Sequence, residues 1–125
     1  MAALADTSLT SEERALAERF VELLGRRLGD ELHAMWLFGS RARGESPSED
    51  SDVDLLVLAD DASWDGRMLV RGVLDEAARE LALDALTWSF SVHVHTPDWL
   101  TKRREIGSFF VAELDRDKVV LRGQP

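Results

Sequence analysis

Two aspartates, Asp52 and Asp54, stand two residues apart where a polar stretch gives way to the apolar run 55–59. On a strand this spacing puts both side chains on one face. Two carboxylates about 5 Å apart repel by roughly 3 kcal/mol at an effective dielectric of about 20. A divalent cation turns that repulsion into binding, because Mg²⁺ takes one or two carboxylates and completes its shell with phosphate oxygens. Upstream, the apolar run Met35-Trp36-Leu37-Phe38 ends in Gly39-Ser40, and Arg41 and Arg43 follow. Glycine allows close backbone approach. Serine can cap a helical turn, whose first N–H groups attract an anion. The segment therefore reads as a phosphate cradle at the end of one strand and a metal-binding carboxylate pair at the start of the next.

Simpler readings compete with this one. An acidic loop such as Glu49–Asp54, taken alone, is usually just solvated. An EF-hand would place Asp50, Asp52 and Asp54 at its first, third and fifth positions, but its sixth must be glycine and here is Leu55. Gly39 fits neither a P-loop nor a dinucleotide fingerprint, since no lysine follows in place and the glycines are wrongly spaced. Arg41 and Arg43 read equally well as phosphate neutralisers and as ordinary charges, Arg43 pairing with an acid in the 45–50 loop.

Leu37-Phe38-Gly39-Ser40-Arg41-Ala42-Arg43-Gly44 together with Ser51-Asp52-Val53-Asp54-Leu55 resembles the nucleotidyltransferase fold of DNA polymerase β type. The likeness is to its minimal nucleotidyltransferases, many of them antitoxins paired with HEPN-domain toxins. The resemblance implies Mg²⁺ or Mn²⁺ on Asp52 and Asp54, and ATP phosphates on Gly39, Ser40, Arg41 and Arg43. It further implies AMP transfer to a hydroxyl, such as a tyrosine of a HEPN partner. Active members usually carry a third acid on a neighbouring strand. The matching segment here, Val92-His93-Val94-His95-Thr96-Pro97, has His93 in that acid's place. His93 is a candidate proton acceptor or metal ligand, or a strand histidine with no task. The rival function is a binding module that covers its toxin after its chemistry has decayed.

The elements that must position these residues follow from periodicity. Thr10 and Glu13 form a capping-box pattern. Leu16, Phe20, Leu23, Leu24 and Leu28 continue at helical spacing to a stop at Gly29. Strands are expected at 32–38 and 53–59, and a turn-rich loop over Asp60–Gly66. A helix is expected from Leu69 to Leu81, and a strand over 87–95 with Trp88, Phe90, Val92 and Val94 facing the core. Thr96-Pro97 opens a last helix whose buried side is Leu100, Ile106, Phe109, Phe110, Val111 and Leu114. A short strand over 118–122 closes the chain. Trp36 and Trp88 are expected in the core; Trp64 and Trp99 are the candidates for stacking or partner contact. This order predicts an α+β (α/β-like) fold, a small mixed β-sheet with helices mainly on one face.

The 125 residues suit one domain, with 1–9 expected to be a flexible tail. A hydrophobic fraction of 45% suits a globular core, and the net charge of −9 argues against a nucleic-acid-coating surface. With no cysteine there is neither a disulfide framework nor a thiolate metal site. No signal-like N-terminal stretch or membrane-length apolar run is present, so the expectation is a cytoplasmic protein.

Overall fold

The computed structural model describes residues 7–46 and 52–125. Helix α1 (Ser11–Leu28) opens on the expected capping box: Glu13 N–H donates to Thr10 Oγ1 at 3.1 Å, and Thr10 N–H to Glu13 Oε1 at 2.9 Å. It stops at Gly29, whose φ of 54° suits a residue without Cβ. Strand β1 (Leu32–Phe38) runs into the four-residue helix α2 (Gly39–Ala42). Strand β2 (Val53–Ala59) follows, then helix α3 (Trp64–Glu80), strand β3 (Phe90–His95), helices α4 (Pro97–Glu105) and α5 (Phe109–Asp117), and strand β4 (Val119–Gly123).

The sheet order is β3-β2-β1-β4. β1 is antiparallel to both β2 and β4, while β2 and β3 are parallel. A parallel pair needs a crossover, and α3 supplies it. Alternation along the central strands divides the core in two. Met35, Leu37, Leu55 and Val57 pack under α1 and α3. Trp36, Phe38, Leu56 and Leu58 pack under Leu100 of α4 and Val111 and Leu114 of α5. The two long helices thus share one face, and two nine-residue helices close the other. Trp36 is buried as expected and donates its indole N–H to the carbonyl of Gln124 at 2.6 Å.

Four expectations are corrected. Residues 84–89 form a 3₁₀ turn, not the start of a strand, and Trp88 is 88% exposed. Here side chains bond the local backbone in competition with strand pairing: Thr87 Oγ1 donates to Asp84 O and Ser89 Oγ to Leu86 O. The last helix is two helices, broken at Gly107 (φ 70°), which leaves Ile106, Phe109 and Phe110 exposed. Helix α3 begins inside the expected 60–66 loop, because Ser63 caps it by accepting from Gly66 N–H at 3.3 Å. The expected tail over 1–9 is docked by its last residues: Leu9 is buried and Ser8 bonds Arg41. Residues 1–6 lie outside the described residues. No helix among the described residues is long and apolar enough to cross a membrane.

Candidate nucleotide and metal site

The two halves of the motif meet at one point. In the β1–β2 register Phe38 lies opposite Asp54, so the chain leaves β1 at Gly39 directly beside that carboxylate. Gly39 has φ 77°, and a Cβ placed on it would collide with Asp54 Oδ2 and sit 3.3 Å from its Cγ. Glycine is required here twice, by backbone conformation and by the neighbour. Ser40 follows as the second residue of α2, where N–H groups have no intrahelical acceptor.

Asp54 is half-buried, and desolvation pushes its pKa above the ordinary carboxylate value. Asp52 pushes it further up, while His93 and Arg43 pull it down, so all three lie within electrostatic reach. Asp52 itself is exposed at the entrance to β2. In the β2–β3 register Asp54 pairs with Ser91 and Leu56 with His93, which puts both β3 side chains on the face of Asp54. His93 Nε2 is 3.2 Å from Ser91 Oγ, and its ring centroid is 5.5 Å from that of Phe38.

The polymerase β nucleotidyltransferase family model, described as "Polymerase beta, Nucleotidyltransferase", matches residues 22–93. The chain belongs to this family. The match runs from within α1 to His93 and leaves α4, α5 and β4 outside. No curated protein matches the chain. Among solved structures, a toxin–antitoxin crystallised with AMP-PNP is similar at 24% identity and a TM-score of 0.50, covering 86% of this chain and 73% of that one. The toxin–antitoxin MntA-HpeT, in a mutant with two aspartates two positions apart changed to glutamate, is similar at 22% identity and a TM-score of 0.50, over the same shares. At these identities the likeness is one of fold.

Within this nucleotidyltransferase fold the remaining candidates separate. Arg41 is not at the site. The residue is 2% exposed, and its guanidinium is paired with Glu13 and bonded to Ser8 O at 2.9 Å and Ser8 Oγ at 3.1 Å. Arg43 is at the site: it is exposed, with Nε 2.5 Å from Glu45 Oε2 and Nη1 3.4 Å from Asp117 Oδ2. These partners, Glu45 above all, raise its pKa, so it stays charged. His95 stacks on Trp99 with centroids 3.7 Å apart. Burial first, then the charge of Arg67, pushes its pKa down to about 4, so it is neutral at pH 7. Trp99 is therefore engaged beneath His95, while Trp64 is exposed.

Among the described residues no group of three or more acids and histidines gathers as a metal site. His93 thus does not complete a three-ligand set with Asp52 and Asp54. The two carboxylates alone still fit a hard divalent cation, because desolvated Asp54 beside Asp52 is relieved by positive charge and Mg²⁺ takes its other ligands from water and phosphate. One contribution escaped the sequence reading. Phe110, Glu113, Leu114 and Asp117 of α5 line a cleft of about 150 Å³ together with Phe38, Gly39 and Arg43. Their spacing is that of a single helix face, so the signal was present, but nothing in it tied α5 to the Gly39 turn.

Proposed function

We infer that this chain is a nucleotidyltransferase that moves AMP from ATP to a hydroxyl of a partner protein, a tyrosine of a HEPN toxin. The observation that carries the reading is the junction of Gly39 and Asp54: a left-handed glycine holds a backbone turn against a desolvated carboxylate. A toxin–antitoxin of similar fold crystallised with AMP-PNP supports the nucleotide. The paired aspartates mutated in the MntA-HpeT structure support the role of an Asp-x-Asp pair.

On this reading Gly39 and the N–H groups of the following turn bind the β- and γ-phosphates. Asp52 and Asp54 hold Mg²⁺ or Mn²⁺, which when bound offsets charge on the phosphate oxygens. Arg43 adds a guanidinium at the same cleft. The acceptor oxygen attacks the α-phosphorus, the bond to the bridging oxygen breaks, and pyrophosphate leaves. His93 takes the proton of the acceptor hydroxyl, its ring oriented by Ser91.

The second reading, a module that neutralises the toxin by covering it, is favoured by the absence of a three-group metal cluster among the described residues. Intact-mass analysis of the neighbouring-gene product after incubation with this protein, ATP and Mg²⁺ decides. The first reading expects an AMP adduct that Asp54→Asn abolishes. It expects His93→Ala to slow the adduct's formation by about 10²–10⁴-fold. Tight complex formation with no adduct selects the second reading.

A further inference from the structure

The two edges of the sheet are built differently. Edge strands are normally blunted by charge, proline, bulges or cover, because their unpaired backbone groups invite another strand. The β4 edge has such protection: Arg122 and a positive-φ Gly123 lie in the strand, and its pairing with β1 carries a register shift between Met35 and Trp36. The β3 edge, Phe90-Ser91-Val92-His93-Val94-His95, has no lysine, arginine, acid, proline or glycine. Among the described residues no strand pairs with its outer side.

Along that side runs a cleft of about 210 Å³ between β3 and α3. Four consecutive strand residues, 92–95, line it. Successive side chains alternate between faces, so a cleft touching all four runs along the strand's edge. The opposite wall is Arg67, Met68, Val70 and Arg71. The lining thus holds two arginines and no carboxylate, in a chain of net charge −9. Arg103 of α4 adds a further positive charge acting on His95. Arg71 is anchored, donating to Phe90 O at 3.2 Å and Thr87 O at 2.9 Å, so the wall is held to the strand. His93 is one of the lining residues and also acts on the charge of Asp54.

We propose that the β3 edge and its arginine wall bind an extended, acidic segment of the acceptor protein as an added strand, presenting its hydroxyl to His93 and Asp54. Main-chain bonds along the edge beyond Phe90, whose carbonyl Arg71 already holds, supply affinity, and the arginines select carboxylates flanking the acceptor. The assignment of this segment as acceptor rests on the transfer reading above; the docking edge does not. A compact nucleotide does not need a run of four strand residues. A second copy of this chain would set two arginine walls against each other.

The probe is a fluorescent heptapeptide, Glu-Glu-Val-Tyr-Val-Glu-Glu, titrated into the full chain with Mg²⁺ and a non-hydrolysable ATP analogue. Controls are the same peptide with lysine for glutamate, and with alternate backbone nitrogens methylated. The glutamate peptide is expected to bind. Both control peptides and the Arg67→Glu variant should bind roughly tenfold more weakly or worse. Arg67→Glu should in turn gain affinity for the lysine peptide, a reversal that an unfolded variant cannot show. No binding of the glutamate peptide at millimolar concentration overturns the proposal, as does binding indifferent to Arg67→Glu or to methylation. A dimer lost in Arg67→Glu and not competed by the peptide assigns the edge to a second copy and also overturns it. Peptide binding with the expected dependence but no AMP transfer in wild type removes the transfer reading and leaves the edge standing. AMP transfer to the glutamate and lysine peptides alike does the reverse.

Discussion

Arg41 and Arg43 lie on the two sides of one short turn and meet opposite surroundings. The inner side, at Arg41, is a buried ionic lock: Glu13 caps α1 and at the same time receives the guanidinium, and Ser8 closes it from the N-terminal segment. The outer side, at Arg43, is an open cleft in which the exposed guanidinium meets, among the described residues, the exposed Glu45 and, at 3.4 Å, Asp117. A charge removed from water must be held by fixed partners, and those partners then fix its element in place. A charge left in water gains little from its pairs and can exchange them for a ligand. The inner side therefore sets where Gly39 and Ser40 stand, and the outer side is where chemistry can occur.

The largest effect should come from breaking the lock. Arg41→Ala leaves Glu13 buried without its partner and should cost about 3–5 kcal/mol in urea unfolding. Replacing both partners, Glu13→Leu with Arg41→Met, should cost much less, because no lone charge remains. Arg43→Ala should leave stability nearly unchanged while weakening ATP binding. Equal stability losses for Arg41→Ala and Arg43→Ala would erase the distinction between the two sides.

The sequence shows two arginines of the same kind at this turn, and no local pattern separates them. Their difference arises from Glu13 and Ser8, about thirty residues away, brought in by the docking of α1. The strands that carry Gly39 and Asp54 were legible, because runs 32–38 and 53–59 are apolar and bounded by polar residues. The parallel placement of β3 beside Asp54 fits the α3 crossover, and its polar face was readable from the alternation of residues 89–95. The start of β3 was not, because Thr87 and Ser89 bond the backbone and hold Trp88 outside. Gly107 falls inside the expected last helix, and its left-handed conformation ends a helix there instead of bending one. The part of α5 in the cleft depends on that break, which re-aims Phe110 and Glu113 toward the Gly39 turn.

Gly39 joins the two sides, and Gly39→Ala should have the next largest effect. A left-handed alanine carries strain of about 1–3 kcal/mol, and its methyl also meets Asp54. The substitution should lower stability by that order in urea unfolding. It should also displace the carboxylate and weaken Mg²⁺-dependent ATP binding in calorimetry. A folded Gly39→Ala protein with wild-type ATP affinity would separate the turn from the site.

The smallest effect should have the opposite sign. The surroundings of Asp54 disfavour its charge, first through burial and then through Asp52. Its folded-state pKa lies above the unfolded value, so the folded protein holds the proton more tightly. The contribution of Asp54 to stability is fully present below the unfolded value and is lost as pH rises through the folded one. Asp54→Asn, which cannot ionise, should therefore stabilise the metal-free protein slightly at pH 7. That gain should disappear in acid below the usual carboxylate pKa of 3.8. Added Mg²⁺ should narrow the gap again by stabilising wild type and not the variant. The measurement is urea unfolding of both proteins at pH 3.5 and pH 7, with and without the cation. An Asp54→Asn protein less stable than wild type at pH 7 without metal would place Asp54 with Glu13, as a carboxylate held by the fold. A more stable one makes it a charge that the fold tolerates in order to bind something else.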